Sequence, residues 1–233
     1  MSLPIAFALL AIVAQFVFLI SVYWAYRQKP NVAVVFLVTM VVSAAWMLGT
    51  FAAASKGKMS FATHPPTMLF IFLGVFILAF VAGFSRFGKQ LAAGLPLAAL
   101  VGFQAFRFPL ELLLHEAYRE GLMPVQMSYS GRNFDIVTGI SAAVIGLVLW
   151  KRSASKWIVQ VWNVMGILLL ANILTIAVLS TPLPVRRFFN EPANVWIKDA
   201  PYVWLPAVFV LLAIMGHVVI TRRLMGVAPT GLD

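Results

Sequence analysis

The densest run of chemistry-bearing side chains lies between Gln104 and Gly121, and it holds three of the seven acidic residues in a chain of 233. Arg107, Glu111, His115 and Arg119 recur at four-residue spacing, which sets them on one face of a helix. A guanidinium on such a stripe can hold an anionic group. A Glu–His pair one turn apart can pass protons, because imidazole titrates near neutrality. A second polar cluster follows, with Gln126, Ser128, Tyr129, Arg132, Asn133 and Asp135 around the turn residue Gly131. Asn133 reads as the N-cap of the next helix, and Asp135 as a first-turn acid that complements its dipole. The alternative is that Asp135 pairs with Arg107 or Arg132, or joins His115 as a ligand. The candidates for ligand binding or proton relay are therefore Arg107, Glu111, His115, Glu116, Tyr129, Arg132, Asn133 and Asp135.

Other chemistries find less support. His115, Glu111 and Asp135 offer nitrogen and oxygen donors, but no second His follows His115-Glu116 at the spacing of a zinc-binding helix, and no metal is expected. His64 and His217 are distant by topology, one in a loop and the other near the end of the last helix. That helix has no mid-span lysine for a retinal Schiff base. The chain has no cysteine, which excludes disulfides, thiolate metal sites and thiol nucleophiles. There is no nucleophile elbow, phosphate loop or dinucleotide fingerprint. The sequence points to no cofactor.

The elements that must position these residues are apolar. Hydrophobic residues make up 62% of the chain and charged residues 10%, with a mean hydropathy of +0.97. Soluble domains carry about 45–50% and about 25%. That excess excludes a soluble globular domain and a disordered one, and implies a multi-pass membrane protein. A span needs roughly 20 mostly apolar residues. Seven segments qualify: 4–26, 31–54, 67–85, 91–108, 134–150, 157–181 and 202–221. The expected fold is an all-α bundle of seven transmembrane helices in one domain covering 1–233. The first run is too long for a signal-peptide core.

Loop charge sets the expected orientation. Arg27, Lys29, Arg86, Lys89, Lys151, Arg152, Lys156, Arg222 and Arg223 fall on one side, in short loops against helix ends, with only Asp233 acidic. The other side has Lys56, Lys58, Arg119, Arg132, Arg186, Arg187 and Lys198, offset by acids. The positive-inside rule then puts the N-terminus outside and the C-terminus in the cytoplasm. The same rule accounts for the net charge of +10 without a nucleic-acid partner. A bacterial inner (plasma) membrane is the expected location. Trp and Tyr residues near the segment ends fit the headgroup level.

Segment 109–120 admits two arrangements. If helix four ends at Phe108, Pro109 opens a new amphipathic helix lying on the outer surface, with Glu116 and Arg119 as an ordinary surface pair. If helix four continues, its polar stripe points into the bundle. In either case Arg107, counted from Leu91, falls about 24 Å along the helix and near the outer interface. Three functions follow from these readings. The leading one is binding or transport of a small solute from the outer side, an anion being one candidate, linked to protons. A non-catalytic assembly subunit, with a protein partner or as a homo-oligomer, is the second. A membrane enzyme acting on a lipid, with His115 as base, is the third, so enzymatic activity stays open but is not favoured.

Overall fold

A computed structural model of the chain describes residues 1–152 and 155–226. Asp233, used in the charge count, lies outside the described residues, as do the two uncharged residues in the middle of the Lys151–Lys156 turn. The described chain is helical, with no strand. Six helices are long and apolar enough to cross a membrane, so this is a membrane protein. In order they are α1 (Leu3–Tyr26), α2 (Val32–Ser55), α3 (Thr67–Phe84), α4 (Arg86–Gly94), α5 (Leu97–Phe103), α6 (Arg107–Arg119), α7 (Ile136–Lys151), α8 (Lys156–Ser180) and α9 (Leu211–Leu224). A 3-10 turn over Gln104–Phe106 joins α5 to α6, so Leu97–Arg119 forms one spanning unit. A π-turn, Leu205–Val210, leads into α9 to form another. Helix α7 is apolar but has only 16 residues.

The fourth segment departs from the expectation of a helix over 91–108. Pro96 cannot donate a backbone hydrogen bond and forces the residue before it out of the helical region. Leu95 is accordingly extended, and the helix restarts at Leu97. The stretch before the break forms α4, which is amphipathic. Gly88, Leu91 and Ala92 are buried while Arg86 and Lys89 are exposed. Ser85 ends α3 and caps α4, its hydroxyl accepting from the amides of Phe87 and Gly88. Nor does the helix stop at Phe108. Pro109 only removes the bond to the carbonyl four residues back, at Ala105, and the 3-10 turn at 104–106 absorbs that loss. Segment 109–120 is therefore not a separate surface helix. Arg107 lies ten residues from the start of a 23-residue span, about 15 Å in, so it sits mid-span and not at an interface.

The described residues group at two ends of the bundle. Arg222 donates to the carbonyls of Gly83 and Ser85, tying the C-terminus of α9 to that of α3. Gln90 of α4 donates to the Ala25 carbonyl at the C-terminus of α1. The nine basic residues named above share this basic end, with no acid beside them among the described residues. The opposite end carries the longer loops, which fold back over the helices. There Gln126 donates to Ser180 at 2.9 Å, and Asn194 donates to the Ala177 carbonyl at 3.1 Å. Phe7, Trp196, Tyr202 and Phe209 pack edge to face beneath them. Helix α9 with its π-turn is the most buried span and α2 the least.

Candidate functional site

Two close helix contacts place the polar residues. An added Cβ at Gly139 would run into backbone atoms of Phe108, so only glycine lets α7 approach α6 this closely. Asp135, one turn earlier, is thereby brought to Arg107. An added Cβ at Gly166 would meet the His217 ring and Thr138. That glycine on α8 makes the space His217 fills.

At the centre, the buried Arg107 guanidinium grips Asp135 with two donors. Nε donates to Oδ2 at 2.6 Å and Nη2 to Oδ1. The third arm, Nη1, contacts Nε2 of His217 at 2.8 Å. Arginine can only donate, so that nitrogen accepts. Nδ1 then carries the hydrogen and donates to Oδ1 of Asn163 at 2.8 Å. Nδ2 of Asn163 donates to Oγ1 of Thr221 at 2.8 Å, and the threonine hydroxyl donates to the His217 carbonyl at 2.9 Å. Each polar group in this chain has one consistent role.

Glu111, 2% exposed, lies one turn beyond Arg107. Its Oε2 accepts from Nδ2 of Asn133 at 2.6 Å, and the same amide donates to the Met127 carbonyl. Oδ1 of Asn133 accepts from the Asp135 amide at 3.0 Å. Asn133 is thus a bridge and not the N-cap expected of it. The helix starts at Ile136, with Asp135 at the cap position and its carboxylate turned to Arg107. Arg107, Glu111 and Asp135 also line a cavity of about 70 Å³, otherwise walled by Phe106, Met127 and apolar side chains of α6, α8 and the α9 unit.

The remaining candidates lie apart. His115 is half-buried toward the loop end, its Nδ1 within 2.8 Å of the Ser128 hydroxyl and 3.2 Å of the Ser130 hydroxyl. Its ring stacks on Tyr129 at 4.3 Å. It contacts neither Glu111 nor Asp135 through a hydrogen bond. Glu116 faces out and pairs with Arg119 at 3.3 Å. Arg132 is exposed, with its guanidinium over the Phe188 ring. The stripe therefore divides: its first two members enter the bundle, and Arg119 leaves it. Among the described residues no cluster of three or more His, Asp and Glu could hold a metal ion, and His115, Glu111 and Asp135 are not gathered into one.

Sequence reasoning missed four residues. His217 reads from the sequence as distant, and Asn163 is not among the candidates. Gln104 and Thr138 complete the surroundings, both fully buried, with the Gln104 amide and the Thr138 hydroxyl unpartnered. A signal for His217 existed, since an ionisable residue within a span marks a functional site by default.

The Domain of unknown function (DUF8737) model matches residues 64–225. The chain belongs to this family. The matched region contains every residue of the polar cluster, while α1 and α2 fall before it. No curated protein and no solved structure matches the chain.

Proposed function

We propose that this DUF8737 protein is a seven-span carrier of a bacterial inner membrane, with α7 as the seventh span, N-terminus outside and C-terminus in the cytoplasm. In it the α6–α7–α9 cluster takes up and releases a proton in step with a small solute reaching it from the loop end. One observation carries the reading: a single guanidinium, Arg107, shares a buried mid-span site with two carboxyls, Asp135 and Glu111. Such a site is neutral only when one proton is bound, and an unbalanced charge in this setting is costly. Asp135 is engaged at both oxygens by Arg107, so the exchangeable proton belongs to Glu111. The cavity beside it has room for a few waters or a solute of a few heavy atoms,. Arg107 acts as a fixed counter-charge and not as a free anion hook, because Asp135 and His217 occupy all three of its arms.

The test is proton movement in vesicles containing the purified protein and a trapped pH indicator. An imposed pH gradient should decay faster through the native chain than through Glu111→Gln, with both folded. Equal decay would sink the proton role. The assembly reading draws on the exposed Glu116–Arg119 pair. It predicts instead that charge reversal at Glu116 and Glu120 loses co-purifying proteins. The lipid-enzyme reading, with His115 as base, has no carboxylate bonded to that ring to orient it, since its side-chain partners are serines.

A further inference from the structure

The polar atoms around the cavity beside Glu111 are unequally engaged. Arg107 has no arm left for a solute, since two hold Asp135 and the third reaches His217. Both Asp135 oxygens accept from Arg107. Glu111 is held at one oxygen only. Its Oε2 accepts from Asn133 at 2.6 Å, and its Oε1 has no hydrogen-bond partner among the described residues. Glu111 is buried and lines the cavity, so Oε1 is the acceptor that a solute there can use. The polar end of that solute must then be a hydrogen-bond donor.

Charge sharpens the choice. His217 is neutral, because its Nε2 accepts from Arg107,. His115, one turn beyond Glu111, bonds to Ser128 and Ser130, and the α8 wall of Leu170, Ile173, Leu174 and Ala177 brings no titratable group. With Glu111 ionised, one guanidinium therefore faces two carboxylates, an excess of one negative charge where imbalance is costly. One proton removes that excess, and so does one monovalent cation. Both together would reverse its sign, and an anion would restore or deepen it.

The walls decide which cation. A hard metal ion takes a shell of several oxygens, which leucine, isoleucine and phenylalanine do not supply. An ammonium group on a short alkyl chain matches both parts of the cavity. Its N–H donates to Oε1, and its methylenes lie on Leu110, Leu170 and Leu174. The rings of Phe106 and Phe209 also line the space, and aromatic rings attract cations.

We infer that the solute of this site is a small primary alkylammonium ion that exchanges with the proton at Glu111, an inference that rests on the proton site proposed above. The exchange is one for one: the amine binds with its ammonium proton retained, and the Glu111 carboxyl gives its own proton to water.

The test is equilibrium binding of radiolabelled ethylammonium to the purified full-length protein in detergent at a series of pH values. One ion should bind per chain. Its apparent Kd should rise by up to about tenfold per unit of pH lowered, over the range where Glu111 takes up its proton. Glu111→Gln should weaken binding by at least about tenfold. Asp135→Asn keeps an oxygen for Arg107 but removes the excess charge, so it should weaken binding with Glu111 intact. Should either variant fail to fold, the pH dependence of the native chain decides alone. No saturable binding, binding indifferent to pH, or native affinity in a folded Glu111→Gln protein would overturn the inference. So would equal displacement of the label by sodium ions. The two proposals fail separately. If ethylammonium does not bind while the decay of a pH gradient still depends on Glu111, the solute class is wrong and the proton site stands.

Discussion

Removing one member of a buried ion pair is worse than removing both, because the survivor is left charged and unpaired. Asp135→Ala strands the Arg107 guanidinium between His217 and an empty space, at a cost of about 3–5 kcal/mol. Replacing both residues by leucine removes the charge as well, and should recover much of that loss. Thermal unfolding of the two variants in detergent checks this; an Asp135→Ala protein as stable as the native one would mean the pair is not buried. Glu111→Gln is different in kind. The amide oxygen can still accept from Asn133, so the change should cost within about 1 kcal/mol while abolishing the proton response. These two behaviours could not be separated from sequence. Four-residue spacing put Arg107, Glu111, His115 and Arg119 on one face, but it could not say how far along that face the bundle ends. His217 stayed hidden for a related reason: its partner is 110 residues away, and no local pattern joins them.

Gly139 decides how α6 and α7 meet. A methyl group there collides with the backbone of Phe108, which has no rotamer to yield. Gly139→Ala should therefore destabilise the protein and Gly139→Leu should prevent folding, both by driving Asp135 away from Arg107. Gly49 on α2 is the control, since a Cβ there meets nothing within 4 Å. Gly49→Ala should be neutral or slightly stabilising, by up to about 1 kcal/mol from helix propensity. Relative folding yields of the three variants, read by gel filtration, test this; a well-folded Gly139→Leu would refute the close contact. At this scale the sequence was largely legible. The spans at 4–26, 31–54, 67–85 and 157–181 lie within one or two residues of the helices observed. The fourth was misjudged because Arg86 and Lys89 were taken as a loop when they belong to an amphipathic helix. Its end at Pro96 resets the start of the next span by six residues. That shift carries Arg107 from the interface to mid-span, which changes what the residue means chemically.

Helix α7 raises the question that belongs to the whole molecule. Sixteen residues span about 24 Å,, short of a roughly 30 Å hydrocarbon core. Irregular chain is tolerated at membrane depth only where protein covers it. The residues just before α7 meet that condition: Asn133 and Asp135 are buried, and their polar groups are bonded to Glu111, Met127 and Arg107. In the proposed seven-span topology the polar cluster completes the span that the helix alone cannot, so that proposal and the site depend on each other. The chain has no native cysteine, so single introduced thiols report each position without interference. With a membrane-impermeant reagent on intact cells, Lys58→Cys, Arg132→Cys and Arg186→Cys should label. Lys89→Cys and Lys151→Cys should label only after permeabilisation. Along α6, labelling should be fast at 119, partial at 115 and absent at 111. The pair at Arg132 and Lys151 is decisive. If both label from one side, α7 does not cross the bilayer, and the cluster it carries is held in a re-entrant segment.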